Sequence, residues 1–433
     1  MVLSLIGFAT IISIVTLLIR GKVIPIVALT LIPIIGALVA GFGMEEIGGF
    51  FKSGLGSVMN VVVMFIFAII FFGILQDAGL FDPLINKMIQ LTRGNIITIC
   101  IGSVIIAAIA QLDGSGASTF LITIPALLPL YKRMRISPYL LVLLIGGSAS
   151  IMNMIPWGGP LGRTASVIHM DVTELWRPLI PVQVVGMMLM IALATILGIR
   201  EKRRIAVLPE ATFVEESEEA LLTSREGAHK GLYLFNLLLT IAIIAILVTG
   251  MIPAGFAFMI GVAIALPVNF RTIKLQNECI KRHAPSALAM ASIILAAGVF
   301  LGVLNGTGML TSIAQDLINI LPAFLGRYIH LIIGFLGLPF DLLLSTDAYY
   351  FALLPVVDQI SSTYGIPSTS TAYAMIVGNI VGTFVSPFSP ALWLALGLAN
   401  IEMGRYIRYA FFWMWGIGIL LLIAAIIMGV ITV

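Results

Sequence analysis

The stretch IAQLDGSGASTFLIT, residues 109–123, places one carboxylate among Gly, Ser and Thr between two strongly apolar runs. The side chains in it that could do chemistry are those of Asp113, Ser115, Ser118 and Thr119. A charge at the centre of a membrane costs roughly 2.5–3.5 kcal/mol on insertion scales, so Asp113 needs water, a cation or a proton beside it. The neighbouring glycines let the backbone turn and approach a ligand. The stretch therefore predicts a binding tip and not an ordinary helix.

Three further polar groups interrupt apolar segments. STDAYY contributes Ser345, Thr346 and Asp347; MNMIPWGGPLGR contributes Asn153, Gly158, Gly159 and Arg163; SPFSP contributes Ser386 and Ser389. A helix that begins beside such residues presents free N–H groups and the positive end of its dipole, which hold an anionic oxygen. Hydroxyls and loosened carbonyls suit a hard cation. Together the four groups predict a site for a carboxylate and a cation, with Asp113 and Asp347 binding metal or proton and the other residues binding substrate.

Each of these assignments has a plainer alternative. Asp113 and Asp347 could only cap the helix that follows them, and Asp341 is interpreted as an N-terminal cap. Arg163 is left open between a ligand for a substrate carboxylate and an anchor at the membrane interface.

The composition places these groups in a membrane. Hydrophobic residues make up 60% of the chain and charged residues 10%, against about 25% charged in a soluble domain. Apolar runs of membrane-spanning length recur throughout, which predicts an all-α, multi-pass protein of the cell membrane and not a barrel. The first run has no basic leader or cleavage site and is expected to be retained. A net charge of +3 without a basic stripe gives no support for nucleic-acid binding.

The distribution of Lys and Arg orients the predicted spans. We place ten spans at residues 2–19, 23–42, 57–76, 138–157, 179–199, 232–250, 254–269, 286–304, 371–391 and 409–431. Residues 96–131 and 330–358 are predicted to be re-entrant hairpins. With both termini outside, the inner loops then hold 19 of the 23 basic residues. The first hairpin consequently opens from the cytoplasm and the second from the exterior.

The two halves resemble each other at an offset near 229 residues. FFGILQDAGLF matches FLGVLNGTGML, and GGSASIMNMIPWGGP matches VGNIVGTFVSPFSPA. We predict a first repeat at 1–199, with a broken helix at 138–162, a cytoplasmic linker at 200–231, and a second, inverted repeat at 232–433, with a broken helix at 371–391. Inverted repeats with interrupted helices are typical of secondary transporters whose site lies near the midplane.

The other polar residues are weaker candidates for a functional site. Cys100 lies in an apolar run and Cys279 in a predicted basic loop, without metal-type spacing, so we expect no disulfide. His229 and His283 fall in predicted cytoplasmic loops and His169 and His330 at the outer interface, and none is interpreted as a metal ligand. No phosphate-binding GxxxxGK[ST] motif occurs, and no nucleophile has a His and an acid to activate it. The sequence predicts neither an ATP-driven pump nor an enzyme, and no prosthetic group.

The motifs FGILQDAGLFDPLINK, LDGSGASTFLITIPALLPLYKRM, NMIPWGGPLGRTAS and STDAYYFALLPV closely resemble the citrate–metal:proton symporters of the CitMHS type. The resemblance covers essentially the whole chain. It implies uptake of citrate complexed with a divalent cation of the Mg or Ca class, together with protons. It also implies a dimeric carrier with a scaffold part and a hairpin-bearing transport part. It also implies that the binding hydroxyls of the two tips are those of Ser118, Thr119, Ser345 and Thr346.

The first tip departs from this resemblance at one position. Family tips read more like LDGDGTTT, with a second acid where this chain has Ser115. Losing a carboxylate weakens the attraction for a cation, which leaves the metal preference open. Two alternatives follow: a sodium-coupled di- or tricarboxylate carrier with the same fold, and an ion antiporter or channel without an organic substrate.

Overall fold

The structure is a computed structural model that describes residues 2–20, 23–80, 83, 95–207, 230–320 and 322–433. Over these residues it is helical, and no strand occurs in them. The predicted all-α class is thus confirmed. Helices follow from the physics of the setting, because in hydrocarbon each backbone polar group must find a partner inside its own segment.

The described part of the first half contains nine helices and one 3₁₀ turn. They are α1 Val2–Ile19, α2 Pro25–Val39, α3 Met44–Asp77, α4 Ile96–Ala110, the 3₁₀ turn Gln111–Asp113, α5 Gly116–Arg133, α6 Pro138–Met152, α7 Gly159–Val167, α8 Val172–Trp176 and α9 Leu179–Ala206.

The described part of the second half continues with eleven helices and one π-helical turn. They are α10 Lys230–Thr249, α11 Ala254–Asn269, α12 Ile273–Gly306, α13 Met309–Ile320, α14 Ala323–Arg327, α15 Ile329–Phe335, α16 Gly337–Asp341, the π turn Ala348–Leu353, α17 Leu354–Thr363, α18 Ser368–Ile380, α19 Pro390–Ala399 and α20 Met403–Ile427.

Six of the described helices are long and apolar enough to cross a membrane: Met44–Asp77, Ile96–Asp113, Leu179–Ala206, Gly231–Thr249, Ile273–Gly306 and Met403–Ile427. Shorter apolar helices lie in most of the other predicted spans. The chain is therefore a multi-pass membrane protein, whereas ten spans, two re-entrant hairpins and the side of each terminus stay predictions. The arms of each predicted hairpin do contact one another, α4 against α5 and α15 against α17.

Helix boundaries recur at the offset found in the sequence. α2 begins at Pro25 and α11 begins 229 positions later, and α3 and α12 are both 34 residues long with the same separation. These two long helices pack on each other. Their backbones touch: a Cβ on Gly54 would lie 2.0 Å from the carbonyl oxygen of Gly298. Small residues at a helix crossing allow such close approach.

Several helices continue past the predicted spans. The spans 57–76 and 286–304 are the apolar parts of much longer helices, because the hydrogen-bonded helix continues past the point where hydropathy ends. For the same reason α9 extends into the predicted linker as far as Ala206. Residues 208–229 of that linker, including His229, lie outside the described residues. Cys279 and His283 belong to α12 and not to a loop.

Candidate functional site

The tip of the first hairpin is organised by Asp113. Its carboxylate accepts a hydrogen bond from the Ser115 N–H at 2.8 Å and a short one from the Ser118 hydroxyl. Gly114 turns the chain with φ at 75°, a left-handed value that favours glycine. α5 then begins at Gly116 with Ser115 as its N-cap. Asp113 therefore shapes the tip without being the N-cap residue of α5.

The first tip is bonded to the first helix break. The Trp157 indole N–H donates to the Leu112 carbonyl at 2.8 Å. The buried Gln111 amide donates to the Asn153 side chain at 3.5 Å and accepts from the Thr119 hydroxyl at 2.7 Å. Asn153 and Thr119, both predicted substrate ligands, thus share one network. Its centre, Gln111, was missed, although it stands two residues before Asp113 in the opening motif.

The same tip also contacts the second helix break. A Cβ on Gly116 would lie 2.4 Å from the Phe384 ring, and the Phe120 ring meets that ring edge-on at 5.1 Å. α5 packs along α19, the helix that follows the second break. The predicted broken helix 371–391 corresponds to two helices: α18 ends at Ile380, and α19 begins only at Pro390 and extends beyond the predicted end.

The tip of the second hairpin holds a buried ion pair. The Arg163 Nε atom donates to Asp347 Oδ1 at 2.7 Å, and the two side chains are only 10% and 12% exposed. Gly159 leaves room for the guanidinium, because a Cβ there would lie 2.5 Å from Arg163 Nη1. The interfacial-anchor alternative for Arg163 is therefore wrong, and so is a purely capping role for Asp347, whose side chain makes no cap bond. The neighbouring Ser345 hydroxyl accepts the Ala348 N–H at 3.2 Å.

Asp341 is the least expected group of the site. It closes α16 and so is not the N-terminal cap that the sequence suggested. Its side chain is 1% exposed, lies against Gly382 and interacts with Asn379, yet neither carboxylate oxygen accepts a hydrogen bond of normal geometry from the described residues. Ser386, a predicted ligand in the second break, donates to the Asp341 backbone carbonyl at 2.5 Å.

The four predicted groups therefore form one closed circuit of contacts. The first tip touches both breaks, the second tip is paired with Arg163 of α7, and the second hairpin is bonded to the second break through Ser386. In the second half, the Asn379 side chain donates to the Gly337 carbonyl at 3.3 Å. The remaining predicted residues line this circuit less directly. Gly158 packs against the Asn153 carbonyl, and Ser389 is the N-cap residue of α19.

Two cavities of about 310 and 430 Å³ lie along α3, next to the segment that follows α7. Both contain Ser57 of α3 and His169, which follows α7. None of the predicted tip residues lines either of these two cavities. Chemically the circuit offers carboxylates, a guanidinium, amides and hydroxyls. Oxygen donors of this kind suit hard cations, and the guanidinium suits a carboxylate.

Comparison with known proteins places this arrangement in context. The family model for citrate transporters, CitMHS, matches residues 8–378. A citrate transporter of Bacillus subtilis is 35% identical over 430 residues, which cover 99% of this chain and 100% of the relative. A Mg(2+)/citrate complex secondary transporter of Bacillus subtilis is 35% identical over 431 residues, with 100% and 99% coverage.

Two solved structures share the fold. The YdaH transporter of Alcanivorax borkumensis superposes with a TM-score of 0.60 at 15% identity, covering 90% of each chain. MtrF of Neisseria gonorrhoeae superposes with a TM-score of 0.58 at 14% identity, covering 89% of this chain and 82% of that one. At such identities the likeness concerns the fold alone.

Proposed function

Since the chain belongs to the citrate transporter family CitMHS, we propose that it takes up citrate complexed with a divalent metal ion, in symport with protons. The family and the characterised relatives are transporters, so the chain is a transporter and not an enzyme. A Mg(2+)/citrate complex secondary transporter among the relatives supports the metal complex as the transported species.

The observation that carries the proposal is the buried pair of Arg163 and Asp347. A metal–citrate complex brings a carboxylate and a cation together. Its carboxylate can replace Asp347 at the guanidinium, while its metal ion replaces Arg163 at the Asp347 carboxylate. Each buried charge would exchange one partner for another of the same sign, which avoids the several kcal/mol that an unpaired buried charge costs. Free citrate or a free metal ion would leave one of the two charges unpaired.

The proton and a metal ligand are assigned to two carboxylates, Asp341 and Asp113, that form no ion pair among the described residues. Asp341 is buried and forms no ion pair among the described residues, and its interaction with the neutral Asn379 amide is not a hydrogen bond of normal geometry, so its anionic form needs a cation or a proton. Among the described residues, Asp113 accepts hydrogen bonds from neutral groups of its own tip, and the charge of His283 acts on it without forming an ion pair. We propose that Asp113, together with Asp347, binds the metal ion and that Asp341 carries the transported proton.

Uptake into proteoliposomes tests the metal complex. Citrate accumulation driven by a pH gradient should require a divalent cation and should be abolished by Asp113→Asn. Uptake that is indifferent both to chelation of the metal and to this substitution would refute the proposal.

A second assay tests the proton assignment. Asp341→Asn should abolish accumulation driven by a pH gradient but retain exchange of labelled for unlabelled metal–citrate, because exchange needs no net proton movement. Asp316→Asn, on a partly exposed position of α13, is the matched control and should retain both activities. If Asp341→Asn still accumulates citrate in response to a pH gradient, Asp341 does not carry the proton.

A sodium-coupled carrier of the same fold is the second candidate. It is favoured by the hydroxyls of the first tip, since the Ser115 carbonyl lies within hydrogen-bond distance of both Ser118 and Thr119 and could join them around Na⁺. Replacing Na⁺ by choline at a constant pH gradient leaves proton-coupled uptake unchanged and stops sodium-coupled uptake. Saturable citrate binding in calorimetry would dismiss a channel or antiporter without organic substrate. Dimerisation, implied by the family resemblance, stays part of the proposal.

A further inference from the structure

A second polar cluster lies where the last turn of α3 meets the first turns of α12, close enough to the first tip for its His283 to interact electrostatically with Asp113. Asp77 Oδ2 is 3.7 Å from the sulfur of Cys279 and 3.2 Å from His283 Nε2. One ligand atom from each of these three residues lies within 4.8 Å of the other two. Cys279 is 2% exposed, so the cluster is held inside the helix pair.

The local fold explains how the three side chains meet. Cys279 and His283 are four positions apart on α12, which places them one turn apart on the same helical face. The His283 ring packs directly on α3, because a Cβ on Gly73 would lie 2.5 Å from its Cγ atom. The third residue, Asp77, ends α3 beside them. The cluster thus has two fixed donors on one helix and a third on the helix packed against it.

Packing of the two long helices does not itself require this cluster. At the offset of 229 residues, the positions equivalent to Asp77, Cys279 and His283 are Gly306, Phe50 and Gly54. At that opposite end of the crossing, the Phe50 ring closes directly over Gly306, where a Cβ would lie 2.2 Å from it. One end of the crossing is therefore sealed by an aromatic ring, whereas the other holds a thiol, an imidazole and a carboxylate.

We propose that Asp77, Cys279 and His283 bind a thiophilic divalent metal ion such as Zn²⁺. With Zn–S near 2.3 Å and Zn–N and Zn–O near 2.0 Å, the edges of a tetrahedron are about 3.5 Å between S and O and about 3.3 Å between N and O. The observed separations of 3.7 and 3.2 Å are close to these edges. The cluster supplies three protein ligands and leaves the fourth position for water.

Binding requires two local changes. Arg282 Nη1 now donates to Asp77 Oδ2 at 2.8 Å, and its side chain, 61% exposed, turns out to solvent when the metal arrives. The Cys279 thiol loses its proton to solvent, so each bound metal ion releases one proton at this residue. The site is chemically distinct from the transport circuit: it offers sulfur and nitrogen, which select zinc-like ions, whereas the circuit offers only oxygen and guanidinium groups.

Cobalt is a suitable probe, because a cysteine-bound Co²⁺ absorbs in the near ultraviolet through thiolate-to-metal charge transfer. The purified full-length protein in detergent, titrated with Co²⁺, should develop this band at one equivalent. Zn²⁺ should remove the band, and an excess of Mg²⁺ should not. A wild-type protein without the band overturns the proposal.

The chain contains only two cysteines, which provides a matched control. Cys279→Ser should abolish the band, and Cys100→Ser, at a buried position of α4, should retain it. If the band is lost only in Cys100→Ser, or if Cys279→Ser retains it, the thiolate belongs to Cys100 and the proposed site is refuted. His283→Gln should weaken Co²⁺ binding at least tenfold, roughly the effect of losing even an outer-shell partner.

A measurement on the unaltered protein covers the case in which a variant does not fold. Zn²⁺ should slow alkylation of Cys279 by a small maleimide, followed by peptide mass spectrometry, and leave the rate at Cys100 unchanged. Equal rates at Cys279 with and without Zn²⁺ would contradict metal binding there. Neither the Co²⁺ titration nor the alkylation measurement uses citrate transport as its readout. Each can therefore refute the metal site without bearing on the transport mechanism.

Discussion

The buried pair of Arg163 and Asp347 allows a prediction with a defined magnitude. Removing one member of a buried pair leaves the other charge without compensation, which costs about 3–5 kcal/mol. At about 2.1 cal/mol/K per residue, a chain of 433 residues has an unfolding entropy near 0.9 kcal/mol/K, so the midpoint should fall by about 3–6 °C. We expect this shift for Arg163→Met and for Asp347→Leu.

The double variant Arg163→Met/Asp347→Leu should melt within about 2 °C of the wild type, because it leaves no unpaired charge in the site. A control pair is available at the surface: Arg405 and Glu402 are 67% and 71% exposed, and exposed pairs contribute about 0–1 kcal/mol. Arg405→Met should therefore shift the midpoint by no more than about 1 °C.

Thermal unfolding of the purified protein in detergent, followed by intrinsic fluorescence, measures all four variants. The reasoning fails if Arg163→Met behaves like the surface control, or if the effects of the two single substitutions simply add in the double variant. Citrate uptake by the double variant separates stability from function. Near-normal melting with no uptake would show that the pair has a role in transport beyond holding the fold together, and normal uptake would refute our assignment of these two residues to the ligand.

Three further substitutions test the packing of the site and of its scaffold. Gly54→Leu forces apart the touching backbones of α3 and α12 and should destabilise the protein by at least about 1–3 kcal/mol, whereas Gly56→Leu, which faces open space, should melt normally. Thr119→Val removes the hydroxyl bonded to Gln111 and should cost about 1–3 kcal/mol in melting experiments, with weaker citrate binding in calorimetry. Gly116→Val places a side chain against the aromatic ring of the second break and should lower the uptake rate in proteoliposomes at an unchanged expression level.

Much of the site could be predicted from the sequence because its groups interrupt apolar segments. Asp113 and Asp347 are conspicuous among residues that otherwise suit hydrocarbon. The glycines and prolines of the two breaks predict that helices end there, and in the structure helices do end there. The pairing of Arg163 with Asp347 could not be predicted, since 184 residues separate them and a single sequence does not show which charges meet. The sequence left Arg163 open between a ligand for a substrate carboxylate and an interfacial anchor, because a position just after a break fits both roles.

Other errors come from the use of hydropathy to define helices. In a chain that is apolar on all sides, the helical period is weak, and a span is recognised mainly by where charges begin. α12 begins more than three turns before its apolar part. Cys279 and His283 lie in these first turns, and therefore in a helix and not in the predicted loop. Gln111 was overlooked because it is uncharged, although its amide joins the first tip to the first break.

The backbone contact between α3 and α12 has a consequence for how the two halves are held together. Because Gly54 of one half touches Gly298 of the other directly, the halves recognise each other through shape at their centre and not only through their covalent connection. They should therefore behave as complementary fragments. Two polypeptides separated between residues 208 and 229 and expressed together are expected to assemble into one working carrier, so the peptide connection between the halves serves to keep them in equal number.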